Sequence, residues 1–290
     1  MSDRPDWERE GRDWPNRVHS RFVQAGGLRW HVQVVGKGPV LLLLHGTGAA
    51  THSWRDLLPL LAKHFKVIAP DLPGHGFTAM GPLTLPAMAN TVTALLGELD
   101  AKPAIIVGHS AGAAIGLRMV LAGLVKPDRF VALSPALLPF PGLAAQLFPT
   151  LAKMLFLNPF APHIFARMAG PLREVERFMA KSTGSTIDAA GIDYYARLFR
   201  KPGHIRGTIS MMANWDLELL KRDLPKLSLP VLFIHGDKDT AIPIAKAREA
   251  AALVPGARFE TFAGLGHLAH EEEPERVAAM IAAAGQSLSA

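Results

Sequence analysis

The pattern of apolar and polar positions predicts short strands alternating with helices. Apolar and polar residues alternate from Arg29 to Val35, as in a strand with one buried face, whereas Val40–Leu44 is a continuous apolar run typical of a strand buried on both faces. Further strands are predicted at Lys66–Ala69, Ala104–Val107, Arg129–Leu133, Val231–Ile234 and Arg258–Phe262. Helices are predicted at His52–Phe65, Pro86–Leu99, Ala111–Leu124, Ile244–Leu253 and Pro274–Leu288. This alternation implies right-handed crossovers, and therefore an α/β fold with a mostly parallel central sheet flanked by helices.

One long segment, from Pro135 to Trp215, interrupts the alternation. Its first part is apolar, carries no charge between Arg129 and Lys153, and is broken by prolines that argue against a membrane span. The rest is helical in pattern and basic. The segment holds nine Lys and Arg against four Asp and Glu, so +5 of the chain's formal charge of +6 lies here. We call residues 135–215 the cap segment and expect it to form a helical subdomain on a core of residues 1–134 and 216–290.

Composition narrows the class of protein. The chain has 290 residues, 49% of them hydrophobic and 19% charged, which is enough for one well-packed core with an added subdomain. It contains no cysteine, which excludes disulfides, thiolate catalysis and cysteine-ligated metal. Residues 1–17 lack an apolar run, so neither a secretory signal nor a transmembrane segment is expected, and the location is expected to be cytoplasmic. Basic residues are scattered rather than clustered in a nucleic-acid motif, so no nucleic-acid partner is expected.

The candidate chemistry begins with the sequence Ile-Val-Gly-His-Ser-Ala-Gly at residues 106–112. Most serines between glycines are only turn residues, but Ser110 directly follows a predicted buried strand and precedes a predicted helix. A sharp strand-to-helix turn exposes a serine oxygen, and the glycines prevent clashes. Because a serine hydroxyl is a good nucleophile only when a base removes its proton, Ser110 as a nucleophile requires a base, an orienting acid and oxyanion donors.

His267 is the candidate base among the twelve histidines of the chain. It lies in a glycine-rich loop between the last predicted strand and helix, and so at the carboxyl edge of the sheet beside Ser110. His270 is expected to be solvated or structural, and His109 and His45 to pack or hydrogen-bond within their own loops.

Two aspartates compete for the role of orienting acid. Asp237 and Asp239 both follow the predicted strand Val231–Ile234, and either side chain is able to reach a histidine at the same sheet edge. One member of such a pair usually caps a turn. Local chemistry alone does not separate the two.

The oxyanion donors are expected to be backbone amides. Ala111 is the first residue of the helix after Ser110, where an unpaired amide and the helix dipole favour negative charge. The second donor should come from the glycine-rich loop His45–Gly48, with the amide of Thr47 as first choice and that of Gly48 as second.

These segments together resemble the α/β-hydrolase superfamily over nearly the whole chain. The resemblance is carried by HGTG at 45–48, DLPGHGFT at 71–78, GHSAG at 108–112, GDKDTAIP at 236–243 and GLGH at 264–267. It implies an α/β-hydrolase fold with a helical cap inserted between the sixth and seventh strands. In this family the second carboxylate of the G-x-x-D-x-x-x-P segment is the acid, which implies Asp239. Members that open epoxides or cleave carbon–halogen bonds use an aspartate nucleophile, so Ser110 disfavours both activities.

Three further segments are similar to a narrower family, the magnesium chelatase accessory α/β-hydrolases of bacteriochlorophyll biosynthesis. These segments are DWPNR at 13–17, AGGLRWHVQ at 25–33 and LLLLHGTGAATHSWRDL at 41–57. The resemblance implies tetrapyrrole synthesis near the magnesium chelatase step, with a small, hydrophobic, anionic ligand and transient contact with the chelatase. It leaves peripheral membrane contact open. No cofactor or metal is expected, because no His and Asp spacing suggests ligands.

Two functions from different classes follow. In the first, the protein is a serine hydrolase of an ester or related acyl bond, with Ser110, His267 and Asp239 as its triad. In the second, it is a porphyrin-binding accessory or carrier for magnesium chelatase, and its triad is idle.

Overall fold

A sheet of eight strands runs through the centre of the protein, whose computed structural model describes residues 3–139, 158 and 160–286. The strands are β1 (Ser20–Ala25), β2 (Leu28–Val35), β3 (Val40–Leu44), β4 (Lys66–Pro70), β5 (Ile105–His109), β6 (Arg129–Leu133), β7 (Val231–Gly236) and β8 (Arg258–Phe262). Their order in the sheet is β1-β2-β4-β3-β5-β6-β7-β8. Strand β2 is antiparallel to both of its neighbours, and all pairs from β4 to β8 are parallel. The predicted mostly parallel sheet is therefore confirmed.

Eleven helices are described around this sheet. They are α1 (Leu57–Leu61), α2 (Leu85–Glu98), α3 (Ala111–Leu121), α4 (Ala161–Met168), α5 (Leu172–Thr183), α6 (Ala189–Phe199), α7 (Pro202–Ala213), α8 (Glu218–Asp223), α9 (Ile244–Ala252), α10 (Ala269–Glu272) and α11 (Pro274–Gln286). Short 3-10 helices occupy Arg17–His19, Thr51–Trp54 and Leu224–Lys226. None of the described helices is both long enough and apolar enough to cross a membrane.

The continuous apolar run in β3 is explained by two hydrophobic cores, one on each face of the sheet. Leu42 and Leu44 point into the core that holds helices α2 and α3, whereas Leu41 and Leu43 point into the core that holds α1 and α11. All four side chains are fully buried. Successive strand residues face opposite sides, so a strand covered on both faces must be apolar at every position.

The structure differs from the sequence predictions at two places near the amino terminus. Strand β1, which pairs antiparallel with β2, was not predicted. It is an edge strand, its sequence SRFVQA lacks strict alternation, and most of its residues are exposed or half-buried. The predicted single helix His52–Phe65 is wrong: a 3-10 turn precedes α1, which begins only at Leu57. Pro59 explains the break, since it has no amide hydrogen to donate to the carbonyl of Arg55.

The described part of the cap segment contains helices α4 to α7, which lie between β6 and β7 in the chain. Buried Val175, Met179 and Tyr195 from these helices pack against Ala49 and Leu268, which belong to loops at the carboxyl edge of the sheet. The predicted apolar, proline-broken stretch of the cap segment falls largely on residues 140–157 and 159, outside the described residues. The helices that are described therefore contact the loops that carry the candidate site.

The amino-terminal segment, residues 3–16, contacts both the core and the cap segment. The indole of Trp14 is buried and donates a 2.9 Å hydrogen bond to the hydroxyl of Thr51. Arg197 on α6 pairs with Asp13, and Lys201 before α7 pairs with Glu10 at 2.8 Å. Two of the cap segment's cations are therefore already neutralised by carboxylates of this chain.

Candidate active site

Ser110 occupies a strained turn between β5 and α3. Its backbone has φ 50° and ψ −113°, a conformation in the positive-φ region that costs a residue other than glycine about 1–3 kcal/mol. The turn is tight enough to exclude larger neighbours: a Cβ on Gly108 would lie 2.5 Å from the amide nitrogen of Ala113, and one on Gly112 would lie 2.0 Å from the carbonyl oxygen of Leu44. The half-buried Ser110 is thus held in a conformation that an unconstrained serine would leave.

Asp239, and not Asp237, contacts His267. The Oδ2 atom of Asp239 accepts a 2.7 Å hydrogen bond from His267 Nδ1, and its Oδ1 atom accepts hydrogen bonds of 2.8 Å from the amides of Ala241 and Ile242. The Asp239 side chain is fully buried. Asp237 is exposed, and its Oδ1 atom accepts a 2.7 Å hydrogen bond from the amide of Gly264, so it closes a turn.

His109 joins the loop of His267 to the residue that precedes Ser110. The Nε2–H of His109 donates a 3.0 Å hydrogen bond to the carbonyl oxygen of His267, and the two rings lie 4.7 Å apart between centroids. His109 immediately precedes Ser110 in the chain. Among the hydrogen bonds of the described residues, none joins the Ser110 hydroxyl to His267.

The loop His45–Gly48 lies against Ser110 and is fixed by His45. The amide of Leu72 donates to His45 Nε2 at 2.8 Å, so His45 is the tautomer whose Nδ1–H bonds to the carbonyl of Gly46 at 2.8 Å. Burial lowers the pKa of His45, which keeps the ring neutral in this role. A Cβ on Gly46 would lie 3.1 Å from the Cβ of Ser110. The amide of Thr47 donates to no acceptor among the described residues.

Asp71 holds the next part of this loop and was not singled out by the sequence analysis. Its Oδ1 atom accepts from the amide of Thr51 at 2.7 Å, and its Oδ2 atom accepts from the amide of Phe77 and from Nδ1 of His31, each at 2.8 Å. Burial alone would raise the pKa of Asp71, but His31 and these hydrogen bonds hold it below its usual value. Asp71 is the first residue of the segment DLPGHGFT, so the family motif contained this aspartate although it did not indicate what the side chain binds.

The groups behind His267 are buried and uncharged near neutral pH. Burial lowers the pKa of His270 to about 3, and it lowers the pKa of His109 well below the usual value. Burial raises the pKa of the Glu271 carboxyl to about 8, although a 2.6 Å hydrogen bond from the hydroxyl of Tyr195 opposes that change. His109 and His270, whose rings lie near His267, and Glu271 on the next helix therefore add no charge beside His267. His270 is buried on α10 rather than solvated.

No metal-binding cluster accompanies these residues within the described part of the chain, where no three His, Asp or Glu side chains are grouped to hold an ion.

Comparison with known proteins agrees with this architecture. A family model described as the Alpha/beta hydrolase family matches residues 41–280. The chain is 39% identical over 274 residues to the Magnesium-chelatase 30 kDa subunit of Rhodobacter capsulatus, covering 93% of this chain and 95% of that protein. It is also 31% identical over 246 residues to a Pimeloyl-[acyl-carrier protein] methyl ester esterase of Xanthomonas oryzae pv. oryzae, covering 82% of this chain and 91% of the relative.

A solved structure supports the fold alone. The epoxide hydrolase CorEH, solved without ligand, aligns with a TM-score of 0.77 at 24% identity, covering 90% of this chain and 96% of that one. The match of the family model over most of the chain, together with the full-length relatives, shows that the chain belongs to the α/β-hydrolase family.

Proposed function

We propose that this protein is a serine hydrolase that cleaves an ester or related acyl bond, with Ser110 as nucleophile, His267 as base and Asp239 as orienting acid. The observation that carries the proposal is the buried 2.7 Å hydrogen bond between Asp239 and His267 beside a serine held at φ 50°. A structural aspartate and histidine would not need a strained serine next to them. A relative named as a methyl ester esterase supports the same reaction class.

The proposed reaction proceeds through an acyl-enzyme. The Ser110 oxygen attacks the carbonyl carbon while Nε2 of His267 takes the hydroxyl proton, and the amides of Thr47 and Ala111 hold the resulting oxyanion. His267 then gives that proton to the leaving oxygen as the carbon–oxygen bond breaks. Water, activated by the same histidine, releases the acyl group from Ser110. Asp239 keeps Nδ1 of His267 protonated, so that Nε2 is free to accept.

We further propose that the cap segment covers Ser110 and that the substrate is a hydrophobic, anionic tetrapyrrole acted on near the magnesium chelatase step. Support comes from the apolar cluster that Val175, Met179 and Tyr195 form with Ala49 at the sheet edge, and from the relative named Magnesium-chelatase 30 kDa subunit. Arg197 and Lys201 take no part in this argument, because both are paired with carboxylates of the amino-terminal segment.

Fluorophosphonate labelling tests the proposed nucleophile. Mass spectrometry should find the adduct on Ser110, and labelling should be largely lost in His267→Ala, because the hydroxyl then has no base. Protoporphyrin, Mg-protoporphyrin and their methyl esters, added beforehand, should slow the labelling if they occupy the site. An unlabelled protein, or an adduct on another residue, contradicts the hydrolase; labelling that no porphyrin affects contradicts the proposed substrate only.

A second candidate is a non-catalytic porphyrin-binding accessory or carrier for magnesium chelatase. The observation in its favour is the name of the 39%-identical relative, which describes a subunit rather than a catalytic activity. Tryptophan quenching by porphyrin separates the two candidates when it is combined with labelling. Saturable quenching in a protein whose Ser110 never reacts supports the accessory, whereas reaction at Ser110 supports the hydrolase.

A further inference from the structure

Helix α4 of the cap segment has its large apolar side chains on the outside. Phe160, which directly precedes α4, and Ile164 and Met168 within it recur every four residues and so share one face, and they are 70%, 55% and 65% exposed. The opposite face, which packs against the protein, carries small residues: Pro162 and Ala166 are buried. A helix on the surface of a globular protein ordinarily buries its large apolar residues, and the reversed arrangement of α4 is typical of a surface that meets an apolar partner.

Exposed basic side chains lie on α4 and on the next helix, α5. On α5, Arg173, Arg177 and Lys181 follow one another at intervals of four residues and are exposed, which gives a ridge of positive charge along the helix. Arg167 lies on α4 itself, beside Met168. From residue 160 to 183 there are four Lys and Arg against two Asp and Glu, a net charge of +2, and Glu174 is paired with Arg177, so the positive charge of these helices rests on Arg167, Arg173 and Lys181. The exposed faces of the two helices therefore carry large apolar side chains and a net positive charge.

From the exposed apolar side chains of α4 and the basic side chains of α4 and α5 we propose that the exposed faces of these two helices form a docking surface for an anionic lipid bilayer. Apolar side chains that enter the headgroup region and basic side chains that pair with anionic lipids are the two features of helices that lie on membranes. A second copy of the chain would bring the same positive charge against itself. An acidic protein partner would need a matching shape, whereas two helical turns of protruding side chains suit a fluid surface that requires none.

The docking surface acts independently of the chemistry at Ser110. The face of α5 that bears Val175 and Met179 packs on Ala49 and Leu268, whereas its basic ridge points away into solvent. Bilayer binding and covalent reaction at Ser110 are consequently separate measurements, and Ser110→Ala should bind vesicles as well as the wild type.

Vesicle flotation tests the surface. The full-length protein should float with vesicles of phosphatidylcholine mixed with phosphatidylglycerol and should not float with phosphatidylcholine alone, and added salt should weaken the binding. Ile164→Ser combined with Met168→Ser should lower the partition coefficient about tenfold or more, as should Gln at Arg173, Arg177 and Lys181 together. The matched control is Val18→Ser, which removes an apolar side chain that is 88% exposed and lies outside the cap segment.

Three outcomes would overturn the proposal. The first is a wild-type protein that does not float with anionic vesicles. The second is an equal loss of binding in Val18→Ser and in the α4 variants, or no loss in either. The third is a dimer of the wild type in solution that Ile164→Ser converts to a monomer, because the apolar face would then belong to a self-association interface. Hydrogen–deuterium exchange that slows in α4 on addition of anionic vesicles supports the surface, with unchanged circular dichroism as the check that the variants are folded.

Discussion

The hydroxyl of Tyr195 donates a 2.6 Å hydrogen bond to the carboxyl of Glu271, and this contact joins α6 of the cap segment to the helix that follows His267. Both side chains are buried, and the second carboxyl oxygen of Glu271 has no hydrogen-bond partner among the described residues. An ionised carboxylate in such a place would be poorly solvated, so the neutral acid is the favoured form. The contact between the cap segment and the helix after His267 is therefore made by a neutral carboxyl, whose raised pKa is opposed by the hydrogen bond that it accepts from Tyr195.

Replacing Glu271 by glutamine should change how stability depends on pH. The pKa of Glu271 is about 8 in the folded protein, whereas the pKa of a glutamate in an unfolded chain is about 4.3. The folded wild type retains the proton between these values, so its stability should be greatest at the acidic end of the interval and fall as the pH rises toward 8. Glu271→Gln mimics the neutral acid and should be more stable than the wild type by up to about 5 kcal/mol above that range, with no difference at about pH 4.

Urea denaturation followed by tryptophan fluorescence across this pH range measures the effect. The exposed Glu275 on α11 provides a matched control, since Glu275→Gln should not change the shape of the curve. Wild-type and Glu271→Gln curves that run parallel from acidic to alkaline pH would show that Glu271 is ionised in the folded protein.

Asp239→Asn should reduce the turnover of an activated ester by about 10⁴, by analogy with the same change in a serine protease, while the fold persists. The amide keeps an oxygen for the backbone donors at Ala241 and Ile242 but no longer stabilises a charged His267. Asp237→Asn changes only the turn to Gly264 and should stay within a few-fold of the wild type. A steady-state assay on p-nitrophenyl esters compares the two, and greater damage in Asp237→Asn would reverse the assignment of the acid.

The sequence predicted most of the sheet because its central strands are covered on both faces. A continuous apolar run such as Leu41–Leu44 indicates by its composition that both faces of the strand are buried. Strand β1 lies at the sheet edge and has no such apolar run. Local chemistry made Asp237 and Asp239 equal candidates for the orienting acid, and only the family motif separated them. In the structure, the carboxylate of Asp237 accepts a hydrogen bond from the amide of Gly264 instead of contacting His267.

Other contacts of the site could not be read from the sequence because they join distant segments. Asp71 meets three donors from separate elements, and Tyr195 meets Glu271 across 76 positions. No periodicity or spacing brings such pairs together before the sheet and the cap segment have assembled.

Ser110→Gly should stabilise the protein while it removes the proposed nucleophile. Glycine adopts φ 50° and ψ −113° without the penalty of about 1–3 kcal/mol that serine incurs, and its greater freedom in the unfolded chain offsets about 0.5–1 kcal/mol of that gain. A net gain of about 1 kcal/mol is expected. Ser110→Ala is the matched control, because it also loses the hydroxyl but keeps the Cβ atom. If the two variants unfold at the same denaturant concentration, the turn at Ser110 is not strained.

Gly46→Ala should weaken oxyanion binding more than it weakens the fold. The added Cβ would lie 2.8 Å from Nδ1 of His109 and 3.1 Å from the Cβ of Ser110, so the loop that carries the Thr47 amide must move away from the nucleophile. Loss of one oxyanion donor lowers kcat by about 10²–10³, and we expect a decrease in that range with a smaller change in KM.

Gly97→Ala serves as the control, because a Cβ there, on the exposed face of α2, meets nothing within 4 Å. That change should leave kcat as it is and add up to about 1 kcal/mol of helix stability. Steady-state kinetics and denaturation of both variants test whether the loop supplies an oxyanion donor. A Gly46→Ala protein that unfolds at lower denaturant concentration yet retains its kcat would show that the loop supports the fold and supplies no donor to the oxyanion.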